Sequence, residues 1–416
     1  MEDIYKFVSE KQLKKYADLA VRSGINVQKN QLVIIHSDIK NATLAHTIQK
    51  AAYEVGASNV VIDWFDEKST KEFYTHALED TFDYFPNWKY DQFKEWDDAG
   101  AAYIHIISEN LEVSKGIQIE RMNRFQKAYR TKLKEHHAKI RSHEVRCCLL
   151  AVPSFEWATK VSPHLSEEKA VQTLWELILC GSRANGDDPI KDWEDHNRFF
   201  ESRKKFINNN QFDTLHFISN QGTDLSVGMP NDHLFLGGAV KDLEGKPFFP
   251  NIPTEEIFSA PHRDKVNGKL TPSKPLIYDG TIIDDFYLIF KEGQITNYYA
   301  ATGHEALKNL IETDEGSKYL GEISLVSNHS PLSKTNTLFY NTLFDENTAC
   351  HIGIGNASPS NLENGRKLSV KELNELGLNS SLILVNVVFG TEDMEVVGIK
   401  KDGTKVLLMK EGEFQF

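Results

Sequence analysis

The chain has 416 residues, 40% of them hydrophobic, which is enough for a sizeable core and for more than one domain. Its 47 Lys and Arg stand against 60 Asp and Glu, a net charge of −13, so a nucleic-acid partner is not expected: binding a phosphate backbone needs a basic face. The opening MEDIYKFVSEKQLKKYADLAV is charged where a secretory signal has an apolar segment, and no run approaches the roughly 20 apolar residues of a membrane helix, so neither export nor a membrane is expected.

In chain order, Ser9 to Val27 reads as a helix with Leu13, Tyr16, Leu19 and Ala20 on its inner stripe. Leu32–His36 is a short continuous apolar run, as in a strand buried on both faces. A helix from Asn41 to Val55 follows, and then a strand over Asn59–Asp63, which together make a βαβ unit. Ala101–Ile107 and Val145–Val152 are two further strands. No GxGxxG and no phosphate-loop lysine accompanies them, so the layer reads as scaffold, and His36 and His105 as core histidines. The basic stretch Arg121–Arg146 has the spacing of a solvated amphipathic helix, with Met122, Phe125, Tyr129 and Leu133 on one stripe. The four cysteines, Cys147, Cys148, Cys180 and Cys350, form no CxxC pattern, which fits reduced thiols and a cytoplasmic protein.

Helices are expected from Ser166 to Gly181 and from Trp193 to Asn208, with Gly186-Asp-Asp-Pro between them as a break. After Phe212 the texture changes to short alternating runs between Gly, Pro and Asn turns, interrupted by one helix at His304–Thr313. The spacing therefore predicts an α/β N-terminal domain over residues 1–185 and a β-rich α+β C-terminal domain over 186–416.

Chemistry-bearing residues gather in the second part. Pro253 and Pro261 flank a short run that holds Glu256; Glu322 opens an apolar strand; Asp345, Glu346, Cys350 and His351 follow within FDENTACH. Carboxylates with one imidazole suit a Zn, Co or Mn site that leaves positions open for water. Taken singly, each acid is equally at home as an exposed or paired side chain.

The stretches NIPTEEIFSAPHRDKVNG, DEGSKYLGEISLV and FYNTLFDENTACHIGIGNAS closely resemble the M29 family of metallo-aminopeptidases, as do GTDLSVG, DGTIIDDF and PSFEWATKV. The resemblance implies an N-terminal α/β domain, a C-terminal catalytic domain, a homodimer, and divalent metal ions that activate water to release N-terminal residues from short peptides. It places metal ligands on Glu256, Glu322, Glu346 and His351, with Glu346 as ligand or proton shuttle.

The resemblance breaks in two places. The family carries a Tyr seven residues after the histidine, where this chain has Ser358. Near the end, its N-x-S-x-x-H-x-D-F-M-x-G motif supplies a His and an Asp to the metals. Here Asn379–Gly390 puts Leu384 and Asn386 at those positions, and no His follows His351 in the sequence. Leu has no donor atom, and a neutral amide is a weak ligand for Zn. A lost oxyanion donor such as the Tyr is worth about 3 kcal/mol. Two functions are therefore expected to compete: an aminopeptidase with an impaired or single-metal site, and a family member that binds peptide or a partner without cleaving it. His329, seven residues after Glu322, reads as a surface loop histidine and not as a replacement ligand.

Overall fold

The computed structural model describes residues 3–108, 117–278 and 281–416; Asp279 and Gly280, which open DGTIIDDF, lie outside them. The chain forms two compact units, Met1–Asp195 with Ala239–Pro253, and His196–Gly238 with Thr254–Phe416. The division falls inside the helix Pro189–Asn210 and not at residues 185 and 186, and residues 239–253 return to the first unit. The preceding helix ends at Gly181, and Gly186-Asp-Asp-Pro leads into the next, with Pro189 at the first helical position. Such a turn punctuates the chain without separating two cores.

The first unit is built on a five-stranded parallel sheet, in the order Asn59–Phe65, Leu32–Asp38, Ala102–Ile107, Cys147–Ala151 and Asn251–Ile252. The continuous apolar runs have the cause expected of them. Val33, Ile34, Ile35 and Ile104 are fully buried, as in a sheet covered on both faces. The first helix starts at a Ser9–Gln12 capping box, runs over Glu10–Leu19 and widens into a π turn at Ala20–Gly24. A Cβ on Gly24 would meet Cys148 Sγ at 2.8 Å, so only glycine lets this turn approach the strand. The basic stretch is two helices, Ile119–Lys132 and Lys134–Arg141, parted at the buried Leu133. His36 Nδ1 lies 3.0 Å from Asp63 Oδ2, and burial together with His36 holds His105 down at about 3.

The second unit contains two antiparallel sheets. The larger runs from Leu276–Tyr278 to Glu413–Phe414 in spatial order, with Asp224–Gly228 and Thr214–Ile218 at its middle. The smaller has four strands, β1 (Glu256–Ser259), β2 (Leu320–Val326), β3 (His351–Gly355) and β4 (Leu384–Val388), hydrogen-bonded in that order. Side chains alternate across a strand. Ile257, Ile323, Leu325, Ile352, Ile354 and Val387 therefore point one way and join Phe217, Leu225 and Val396 of the larger sheet in one hydrophobic core. The opposite face of the four strands is left for polar residues. Ile323→Ala is expected to lower stability by about 2–5 kcal/mol through a cavity in that core, read as a lower midpoint in urea denaturation.

Candidate metal centre

The strand register assembles the polar face. Ser324 lies opposite both Phe258 and His351; Gly353 lies opposite both Glu322 and Asn386; Gly355 lies opposite Leu384. With the period of two along each strand, Glu256, Glu322, Ser324, His351, Asn386 and Leu384 all share this face. Residues distant in sequence thus meet because each occupies the phase opposite to the core.

His351 is the centre of the group. Its side chain is fully buried, and Nε2 lies 3.1 Å from Glu256 Oε2 and 3.6 Å from Glu322 Oε1. Neither approach is an aligned hydrogen bond, so Nε2 is a buried polar atom without a bonded partner. Nδ1 lies 3.3 Å from the Ala349 carbonyl, the contact that fixes the tautomer with Nε2 facing the carboxylates. One donor atom from each of Glu256, Glu322 and His351 falls within 4.8 Å of the others, the single such group of His, Cys, Asp or Glu among the described residues. Two atoms each about 2.1 Å from a tetrahedral zinc stand roughly 3.4 Å apart, so these separations fit a divalent cation between the three. Ser324 Oγ donates to Glu256 Oε2 at 2.5 Å and sets the rotation of that carboxylate.

Glu346 stands apart from the group of three. It follows the short helix Thr342–Asp345, and its Oε2 accepts from Asn386 Nδ2 at 3.0 Å. Burial and the nearby Glu256 and Glu322 push its carboxyl up to about 8, against the opposing pull of His351 and Asn386. Burial also raises Glu322, with Glu256 adding to the effect and His351 opposing it. For His351 burial alone would lower the value; the close carboxylates of Glu256 and Glu322 outweigh it and raise the imidazole well above 6.5.

The other residues of the DEN triplet hold the turn. Asp345 accepts from Phe339 N–H at 2.7 Å and Asn341 N–H at 3.0 Å, and burial pushes it up to about 6. Asn347 Oδ1 accepts from the Glu255 N–H at 2.6 Å, while its Nδ2 donates to the Leu343 carbonyl at 2.8 Å. Asn347 thereby ties the segment entering β1 to the turn that carries Glu346. Ser324 and Asn347 carry no signal as single residues, although Ser324 sits two positions from Glu322 and alternation alone puts both on one face.

At the altered positions, Leu384 is 47% exposed on the ligand face and Asn386 occupies its middle. Ser358 Oγ caps the turn Pro359–Asn361 by accepting from Ser360 N–H at 3.3 Å. His329 is largely exposed and lies 3.4 Å from Glu413, so it is not among the residues brought together here.

Fold and face together define a class: a protein of two units whose antiparallel second unit offers oxygen and nitrogen donors to a divalent cation. Comparison with known proteins makes this specific. Residues 9–414 match the family model described as thermophilic metalloprotease (M29). The chain is 39% identical over 407 residues to aminopeptidase 2 of Geobacillus stearothermophilus, covering 98% of each. It is 36% identical over 405 residues to aminopeptidase T of Thermus thermophilus, covering 97% of this chain and 98% of that one. The solved structure of wild-type AmpT from Thermus thermophilus superposes with a TM-score of 0.90 at 35% identity, over 98% of this chain and 100% of that one. The chain belongs to the M29 metalloprotease family.

Two outcomes test the geometry. A Cβ on Gly353 would come within 2.6 Å of Leu384 Cδ1 and 2.8 Å of Glu322 Cβ, so Gly353→Ala displaces Glu322 and is expected to weaken zinc binding about 10–100-fold in a chelator competition. The carboxylates beside His351 favour its protonated form in the metal-free fold. The stability this gives is fully present below 6.5 and is lost as pH rises through the raised folded value. Zinc must displace that proton. Titration calorimetry near neutral pH in buffers of different ionisation enthalpy is therefore expected to show about one proton released per ion, with affinity falling up to about tenfold per unit of lower pH.

Proposed function

We propose that this chain is a metal-dependent aminopeptidase that works with one divalent ion, Zn, Co or Mn, held by Glu256, Glu322 and His351. The observation that supports it most is the buried His351 Nε2, unbonded and within 3.1 Å and 3.6 Å of two carboxylates, in a chain of the M29 family. A divalent ion in that cradle supplies Lewis acidity and lowers the pKa of water. The residues do the rest. Ser324 holds the Glu256 carboxylate in place, and Ala349 O holds the imidazole. Glu346, outside the group of three, takes the proton from the attacking water and returns it to the departing nitrogen. Burial raises the affinity of this carboxyl for a proton, which strengthens it as a base.

The position of Asn386 supports the single ion. Its amide donates to Glu346 from the middle of the ligand face, where the M29 resemblance puts a metal-binding Asp, and Leu384 stands where that resemblance puts a His. Neither replacement brings the anionic or imidazole donor of a second zinc site. Short peptides as substrates, a homodimer and a cytoplasmic location belong to the same proposal; the four free cysteines fit the last.

The same hydrogen bond favours one competing function. With Glu346 engaged by Asn386, the chain binds a peptide without cleaving it. Zinc- or cobalt-reconstituted protein and a leucine chromogenic substrate separate the two. The aminopeptidase is expected to hold one metal per chain and to lose roughly 10²–10⁴ in kcat with Glu346→Gln. Less than about a tenth of a metal per chain, with no turnover, contradicts it. Ser358→Tyr, Leu384→His and Asn386→Asp combined are expected to raise metal content to two and to increase the rate. Activity found only in that triple variant would establish the non-cleaving function for the natural chain.

A further inference from the structure

The ligand face carries one polar atom that the proposed chemistry leaves unused. Asn386 Nδ2 donates to Glu346 Oε2 at 3.0 Å. With its nitrogen on Glu346, the amide turns its oxygen away from that carboxyl. That oxygen, Oδ1, is shielded from solvent and has no hydrogen-bond partner. Buried polar atoms are nearly always paired, and one that is not calls for an explanation.

The surroundings of Oδ1 indicate what would pair with it. A Cβ on Gly353 would lie 3.1 Å from Oδ1, 2.8 Å from Glu322 Cβ and 2.6 Å from Leu384 Cδ1, so Oδ1 stands over the bare Gly353 backbone beside a proposed metal ligand. The missing partner must be a donor. Glu256, Glu322 and Glu346 crowd this face, and among the described residues the ion pairs of Glu256 and Glu322 are with His351 alone. A donor carrying positive charge suits a position with three acidic side chains around it better than a neutral one. Leu384, half exposed beside it, offers apolar surface next to the polar atom.

We propose that Asn386 Oδ1, with the Glu346 carboxylate to which Asn386 is tied, receives the α-ammonium group of a peptide substrate. The free amino terminus is then selected by side chains at the position where a second metal ion is missing. The proposal rests on the single-ion function above and assigns to Asn386 and Glu346 the recognition of the free amino terminus that an aminopeptidase requires. Acetylation removes the charge and places a carbonyl group against Oδ1, so blocked peptides are excluded.

The test uses full-length zinc-loaded protein and L-leucinol, which has no bond to hydrolyse, compared with N-acetyl-L-leucinol by titration calorimetry. Metal content is measured on the same samples. The natural chain is expected to bind leucinol about 10–100-fold more tightly than its acetylated form, the range for a hydrogen bond to a charged group. Asn386→Ala is expected to bring that ratio below about threefold while the metal content stays at one. Asn386→Leu serves the same purpose if the alanine variant does not fold. Equal binding of the two ligands by the natural chain overturns the proposal, as does a preference that survives in either variant at one metal per chain. Two metals per natural chain instead overturns the single-ion function, whatever the ligand preference.

Discussion

The structure of the second unit turns on one electrostatic constraint: two carboxylates and an imidazole are held together on a sheet face, with the Glu346 carboxyl beside them, without a lysine or arginine among their described partners. Like charges this close are costly away from water, and they drive the groups to take up protons. The raised values of Glu322, Glu346 and His351 express that cost. A divalent cation relieves it directly. The alternating strands make the cost bearable, because the same four strands that collect the carboxylates bury Ile257, Ile323, Leu325, Ile352 and Ile354 on their other side. The core fixes the strand register, and the register brings these side chains together.

Half of the face is conventional for a hydrolytic metal centre and half is not. Glu256, Glu322 and His351 come from three adjacent strands, with supporting contacts from Ser324 and the Ala349 carbonyl. The fourth strand brings an amide and an aliphatic side chain in place of ionic donors. The backbone of that strand is nonetheless regular and paired over its length with β3. The difference therefore lies in side-chain chemistry and not in the fold, as expected when a site is altered on a scaffold that keeps its shape.

Much of this was legible in the sequence because it depends on local periodicity. Continuous apolar runs marked the buried parallel strands, and an apolar run after Glu322 marked β2. Membership of the M29 family was visible in long motifs. What was not legible depends on tertiary contact. One helix was expected over Arg121–Arg146, where two occur with the buried Leu133 between them. The helix from Ser9 ends in a π turn where Gly24 meets Cys148. The turn at Gly186 looked like a domain boundary, but the two units divide inside the next helix and residues 239–253 return to the first. Within the site, the acids of the DEN triplet could not be told apart by type. Only the fold shows Asp345 binding backbone amides while Glu346 faces Asn386.

The number and position of metal ions decide whether a dinuclear site has become a single-ion one. Crystals of the zinc-loaded protein, with an anomalous difference map recorded at the zinc absorption edge, give both at once. A single peak per chain bounded by Glu256, Glu322 and His351, with Asn386 still on Glu346, is the predicted result. A second peak beside Asn386, a peak bounded by other residues, or no peak at all would contradict it.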